Sequence, residues 1–459
     1  MDRMDVIQQY LKEKRKEHLE ELFSFLSLES ISALSEHQTD IDRTAEWLVD
    51  ALTKAGLENA AIHQTSGNPV VYADWLHEEG KPTVLVYGHY DVQPVDPLEL
   101  WESPPFTPEI RNEKLYARGA SDDKGQVFMH IKAIEAILKT TGSIPVNIKF
   151  CIEGEEEIGS PALPSFVEAN KDLLSADVIV ISDTGMMEKG KPTICYGLRG
   201  LCGMEIYVKG PKSDLHSGLF GGAIQNPITA LSHLLASFHD ENGVISVEGF
   251  YDRVTPLTKQ EKDAFTALDI TDESIIEQTG SPSLFGEKEF TTLERLWVRP
   301  TLEINGVKGG FQGTGVKTVI PSEARAKITC RLVPAQDPDE IVALLKKHIE
   351  KHKPKGVDVT VQLFDKGNPY VTPFDHKAIQ AAGRAYEKVY QVPTSYTRGG
   401  GSIPIVAAFD QILQLPVVLM GFGLPDENFH APNEHFHLEN YDKGLETICH
   451  YWFDLAEVW

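Results

Sequence analysis

The sequence predicts an α/β fold: a mostly parallel sheet with helices on both faces, interrupted by a smaller inserted α+β domain. Three observations carry this expectation. Short continuous apolar runs recur along the chain, amphipathic helical stretches alternate with them, and the middle of the chain switches to alternating apolar and polar residues.

The elements follow in order. Over residues 4–27, Ile7, Leu11, Leu19, Leu22, Phe23 and Leu26 recur at helical spacing with Glu and Lys between them, which predicts an amphipathic helix. A second helix is expected over 40–55. PTVLVYGHYD then places a continuous apolar run at 84–87, the pattern of a strand covered on both faces. Residues 125–140 carry Val127, Ile131, Ile134 and Leu138 in helical register. Further strands are expected at Ile148, Phe150 and Ile152, at 178–181 and at 417–420. From Leu201 the texture changes. LCGMEIYVKG and ARAKITCRLVP alternate as half-exposed strands do, with helices at 227–238 and 338–353 and a strand at 357–364. The expected organisation is therefore one domain in two parts, 1–200 and 373–459, around an insertion at 201–372.

Composition narrows the function. With 459 residues, 41% hydrophobic and 24% charged, the chain has apolar surface for a full core, and the balance excludes intrinsic disorder. Its net charge of −25 repels phosphate backbones and anionic headgroups, so nucleic acid and membrane surfaces are poor partners. The five cysteines are odd in number and widely spaced, without a CxxC, which predicts free thiols in a reducing compartment. The first residues lack the apolar core of a signal peptide, and no stretch approaches the ~20 apolar residues of a membrane span. A cytoplasmic location is expected.

Each of the four apolar runs leads into residues of metal-ligand type. His89 and Asp91 follow the first; Glu155, Glu156 and Glu157 the second; Asp183 the third; and His430, His435 and His437 lie beyond the fourth. Parallel strands would bring these groups to one sheet edge, where open α/β sheets bind their ligands. RGASDDKG adds Asp122 and Asp123 at the start of the helix near Gly125, where helix amides favour carboxylates. Taken singly, each motif has an ordinary explanation: His-x-Asp is common, a glutamate run is usually a solvated face, and Asp-Asp before a helix is usually a cap. Spacing does not choose among the three C-terminal histidines. Together, however, so many carboxylates at one edge would repel one another unless cations lay between them. Imidazoles with carboxylates suit zinc, manganese or cobalt rather than calcium, and the surplus of carboxylates favours two ions sharing a bridging ligand.

GHYDVQP, RGASDDKG, GEEEIGS, SDT, DLHSG, KTVIP, RLVP, GGSIP and HAPNE, in that order, resemble the di-metal peptidase family of carnosinases, cytosolic non-specific dipeptidases, aminoacylases, acetylornithine deacetylases and carboxypeptidase G, with the dipeptidase branch nearest. The resemblance runs from about residue 80 to the C-terminus. It implies that 201–372 is a lid and dimerisation domain. It also implies that His89 and Asp183 hold one divalent ion, Glu157 and His430 the other, and Asp122 bridges them. The ions would be zinc, with manganese or cobalt as alternatives. By the same resemblance Asp91 orients His89, Glu156 is the general base acting on a water between the metals, and the Asp122–Asp123 peptide is cis. His216 stabilises the oxyanion, and His216, Thr318, Arg331 and Ser402 contact substrate. His216 and Thr318 would reach the neighbouring subunit's site in a homodimer. The implied reaction is hydrolysis of dipeptides or short peptides. An N-acyl amino acid deacylase with the same site is the alternative, and a non-catalytic peptide-binding dimer a more distant one.

Overall fold

The computed structural model describes residues 2–399 and 404–459, which divide into two compact units. Among the described residues, the first comprises 2–196, 372–397 and 404–459; the second comprises 197–371 and 398–399.

Among the described residues, the first unit is organised on a nine-stranded sheet. Its four central strands, in spatial order Asn147–Glu153, Thr83–His89, Val178–Ile181 and Val417–Leu419, are all parallel. These are the continuous apolar runs. Their interior residues are almost entirely buried, as strands covered on both faces must be. The flanking strands are antiparallel: Glu58–His63 and Val70–Trp75 on one side, Thr193–Leu198 and Tyr370–Val371 on the other. The ninth strand, Ser395–Gly399, pairs with Thr193–Leu198.

The strand first in sequence among the central four lies second in space, so the chain winds first to one side and then to the other. That reversal leaves a crevice beyond the carboxyl ends of Thr83–His89 and Val178–Ile181. His89 ends one of these strands and Asp183 follows the other.

The helix Lys124–Thr141 is buried nearly all round, including Lys124 and Lys132. Such a helix can only be interior, and Arg3–Leu26, Gln38–Ala55 and Leu438–Val458 surround it. Lys124 donates to the carbonyls of Phe25 (3.3 Å) and Leu28 (2.7 Å), closing the C-terminal end of the first helix.

The second unit carries an antiparallel four-stranded sheet in the order Thr301–Gly309, Glu323–Leu332, Gly200–Lys209, Asp358–Gly367. Alternation along Glu323–Leu332 turns Ala324, Ala326, Ile328 and Cys330 inward. They meet Leu231 and Leu234 of helix Pro227–Ala236 and Leu345 of helix Pro338–His352. The alternating pattern read from the sequence is this one-sided burial.

Candidate metal centre

Asp122 lies in the loop before helix Lys124–Thr141, and its two carboxylate oxygens face different partners. Oδ1 is 3.2 Å from His89 Nε2, which is itself 3.8 Å from Asp183 Oδ2. Oδ2 is 2.9 Å from His430 Nε2, which is 3.1 Å from Glu157 Oε2. His89, Asp122 and Asp183 form one group of convergent donors, and Asp122, Glu157 and His430 another, with Asp122 common to both. Glu156 Oε2 stands 4.0 Å from His89 Nε2, beside the donors but in neither group. His89 is wholly buried, whereas the His430 side chain is 54% exposed, so the cluster opens towards solvent on the His430 side.

The donor set fits cations. Burial opposes charge on His89, yet hydrogen bonds to Asp122 and Asp91 outweigh it and push the imidazole pKa well up. Hydrogen bonds to Asp122 and Glu157 raise His430 to about 10. Burial, with Asp122, Asp123 and Glu156 nearby, pushes the Asp183 carboxyl well up despite the pull of His89. Burial raises Glu156 as well. Asp122 moves the other way: burial is overcome by the hydrogen bonds from His430 and His89. Protein atoms alone thus balance the cluster by retaining protons between crowded ligands, and divalent ions would supply that positive charge instead.

Asp91 does more than the sequence indicated. His89 Nδ1 lies 3.0 Å from the Asp91 carbonyl and 3.4 Å from its carboxylate, so the main chain is the nearer partner holding the ring. The carboxylate also accepts from the amides of Glu156 and Glu157, each at 3.1 Å, and so fixes the turn that presents both glutamates. Glu155 faces elsewhere, accepting from the amides of Asn68 (2.9 Å) and Ala162 (3.1 Å). Asp123 caps no helical amide. Its Oδ2 accepts from the His89 amide at 3.2 Å instead, and the Asp122–Asp123 peptide is cis.

Two anchoring residues are given no role from the sequence, although Glu434 lies in the HAPNE motif and Gln93 in GHYDVQP. Glu434 is fully buried and accepts from Arg118 Nη1 (2.7 Å) and from the amides of Gly119 (3.0 Å), Ser121 (3.0 Å) and Asp122 (3.1 Å). It holds the whole Asp122 loop. Gln93 donates to Glu157 Oε2 at 2.8 Å. In the first turn of the helix that follows the Asp122 loop, Gly125 is obligatory, since a Cβ there would lie 1.9 Å from the Ala120 carbonyl.

In the second unit, Leu215–His216 pairs with Val319–Ile320, and Ser217 N donates to the Thr318 carbonyl at 3.1 Å, so His216 and Thr318 lie close together. His216 Nδ1 accepts from the Gly218 amide at 3.0 Å, which leaves the ring proton on Nε2. Arg331 stands on Glu323–Leu332, opposite Leu201 and Thr301. Arg199, not singled out from the sequence, lies within its electrostatic reach: burial first, then Arg331, lowers Arg199 to about 10. Ser402 lies outside the described residues.

Residues 85–454 match the model of peptidase family M20/M25/M40. The chain belongs to that family. It is similar to the Cys-Gly metallodipeptidase of Schizosaccharomyces pombe, at 34% identity over 99% of both chains. It is also similar to the human Beta-Ala-His dipeptidase, at 32% identity over 99% of this chain and 93% of the relative. Among solved structures it resembles a metallo-carboxypeptidase of the same family from Sulfolobus solfataricus, with 34% identity, a TM-score of 0.82, and 96% and 99% of the two chains covered.

Proposed function

We propose that the protein is a dipeptidase that holds two divalent ions, zinc or alternatively manganese or cobalt, on His89, Asp122, Glu157, Asp183 and His430. The observation that carries this reading is Asp122, whose two oxygens face two separate groups of donors. Ions held by these residues would supply a water acidic enough to be a nucleophile near neutral pH and polarisation of a carbonyl.

The chain's own residues do the rest. Glu156, adjacent to both groups but belonging to neither, takes the proton of the attacking water and passes it to the leaving amine. Asp91 holds Glu156 in place through its amide. His216, with its proton on Nε2, donates to the oxyanion. Arg331, with Thr318 and Ser402, binds the peptide's terminal carboxylate, and the neighbouring Arg199 strengthens the positive field there. We place His216 and Thr318 in the site of the second subunit of a homodimer. The five cysteines, all free, agree with a cytoplasmic location, and among the described residues no helix is long and apolar enough to cross a membrane.

The test is release of free amino acids by the metal-loaded protein from Cys-Gly, Ala-Ala and β-Ala-His, compared with N-acetyl amino acids and with tetrapeptides. Rapid cleavage of dipeptides alone is expected. Preference for N-acetyl substrates would make the protein a deacylase, and stepwise trimming of the tetrapeptides a carboxypeptidase. Asp122→Ala should lose bound metal together with activity.

A further inference from the structure

A second set of metal-type donors lies outside the cluster around Asp122. His435 and His437 occupy alternate positions of strand His435–His437, so both rings project from one face. Asp426, at the other side of the same loop, meets them. Its carboxylate oxygens lie 3.0 and 3.1 Å from His437 Nε2, and Oδ2 lies 4.0 Å from His435 Nε2. One donor atom from each residue falls within 4.8 Å of the others. Donors sharing a tetrahedral zinc at about 2.0–2.1 Å stand about 3.3 Å apart, so small side-chain adjustments suffice.

Three details favour a cation. First, His435 Nδ1 lies 3.0 Å from the Asn433 carbonyl, which places its proton on that nitrogen and leaves the Nε2 lone pair directed into the cluster. This is how ligating histidines are normally oriented. Second, the ring is buried and packs at a tilt of 32° against Tyr116, its centroid 4.8 Å away, so its direction is fixed. Third, a positive charge already occupies the position. Lys114, paired with His437 across the sheet, puts Nζ 2.9 Å from Asp426 Oδ2 and 3.0 Å from His435 Nε2. An ammonium can only donate hydrogen bonds to these lone pairs, whereas a borderline divalent ion coordinates them.

We propose that Asp426, His435 and His437 form a further metal site, selective for an imidazole-preferring divalent ion such as Zn2+, which enters by displacing the Lys114 ammonium. Its role is structural. Asp426 and His435 stand at the two ends of the loop that carries His430, and an ion held by both closes the neck of that loop. The loop holds Asn428, His430 and Asn433 at positive φ (56°, 58° and 61°), a conformation that costs energy for residues with a Cβ. An ion at its base keeps it in that form.

Equilibrium dialysis of the full-length protein against graded Zn2+, followed by metal analysis, tests this. The quantity read is the difference between wild type and variant, so it does not depend on how many ions the Asp122 cluster holds. His437→Gln should hold one equivalent fewer than wild type. Asp426→Asn, altering an exposed side chain, provides the same test should His437→Gln fold poorly. Lys114→Ala removes the competing charge and should bind the additional ion about tenfold more tightly, within the ~10–100-fold range over which groups around a metal shift its affinity. Equal stoichiometry in wild type, His437→Gln and Lys114→Ala at every Zn2+ concentration would overturn the proposal. So would weaker binding by Lys114→Ala, which would make the lysine a supporting member of a purely polar cluster.

Discussion

At the scale of single residues, the proposed site separates groups that would hold metal from the one that would move protons. That one is Glu156. It touches neither set of donors closely enough to belong to it, yet lies 4.0 Å from His89. Glu156→Gln is therefore expected to keep its bound metal, measured by metal analysis, while kcat falls by at least the roughly 10²–10⁴ typical of a lost general base. Near-normal turnover would remove Glu156 from that role. Glu434 makes a second residue-scale prediction. Four donors converge on it and both it and Arg118 are buried. Glu434→Ala would strand the guanidinium and three amides, costing about 3–5 kcal/mol in chemical denaturation, as breaking one side of a buried pair does. It should also weaken metal binding, because the Asp122 loop loses its anchor. His89, Glu157 and Asp183 were legible because each follows an apolar run that could be recognised as a strand, whereas Asp122 came from the RGASDDKG motif and His430 was separated from its neighbours only by the family resemblance. The role of Glu434, though it stands in the HAPNE motif, was not, because its partners are the Arg118 guanidinium and main-chain amides more than three hundred positions away, and no side-chain pattern announces an amide.

At the scale of elements, the first helix shows what amphipathic spacing conveys and what it omits. The spacing over 4–27 matches the helix Arg3–Leu26 within a residue, but the polar groups that dock it come from elsewhere. Glu135 of the buried helix accepts from Tyr10 (2.9 Å) and Lys132 (2.7 Å) and faces His18 at 3.5 Å; Lys132 also pairs with Glu21. Burial opposes its ionisation, but these partners prevail and lower it from the ordinary 4.5 to about 2. The sign follows directly. The unfolded chain takes up this proton at higher pH than the folded one, so the contribution is fully present above about pH 5 and is lost as pH falls towards 2. Urea midpoints measured across this window should fall less steeply for Glu135→Gln than for wild type, from a lower starting point near neutrality. An unchanged slope would show that Glu135 does not couple the helix to pH. The strands Glu58–His63 and Val70–Trp75 escaped the sequence reading for a related reason. ENAAIH has little intrinsic strand character and VVYADW buries Asp74 within it, so pairing rather than pattern makes them strands.

At the scale of the whole molecule, the proposed homodimer makes a prediction that no single chain can satisfy. His216→Ala and Glu156→Gln should each be nearly inactive alone. When the two are unfolded together and refolded, half of the dimers are mixed, and each mixed dimer regains one site with both residues intact. About a quarter of wild-type activity should return. No recovery, with mixed dimers demonstrated by tagging, would confine His216 to its own chain. The insertion was visible in the sequence as a change of texture at Leu201, because the second unit's sheet is covered on one face and the central strands of the first on both.

The covalent path into and out of the second unit has a practical consequence. Leu198 pairs with Tyr370 and Gly197 with Val371, so the departing and returning strands run side by side as the two arms of a hairpin would. Seen from the first unit, the residues between them amount to an oversized turn. Replacing 199–369 by Asn-Gly, a dipeptide suited to a tight hairpin, should leave a shortened polypeptide whose ends already meet. That truncated form offers a way to measure ion uptake at the Asp122 cluster with the excised cassette absent.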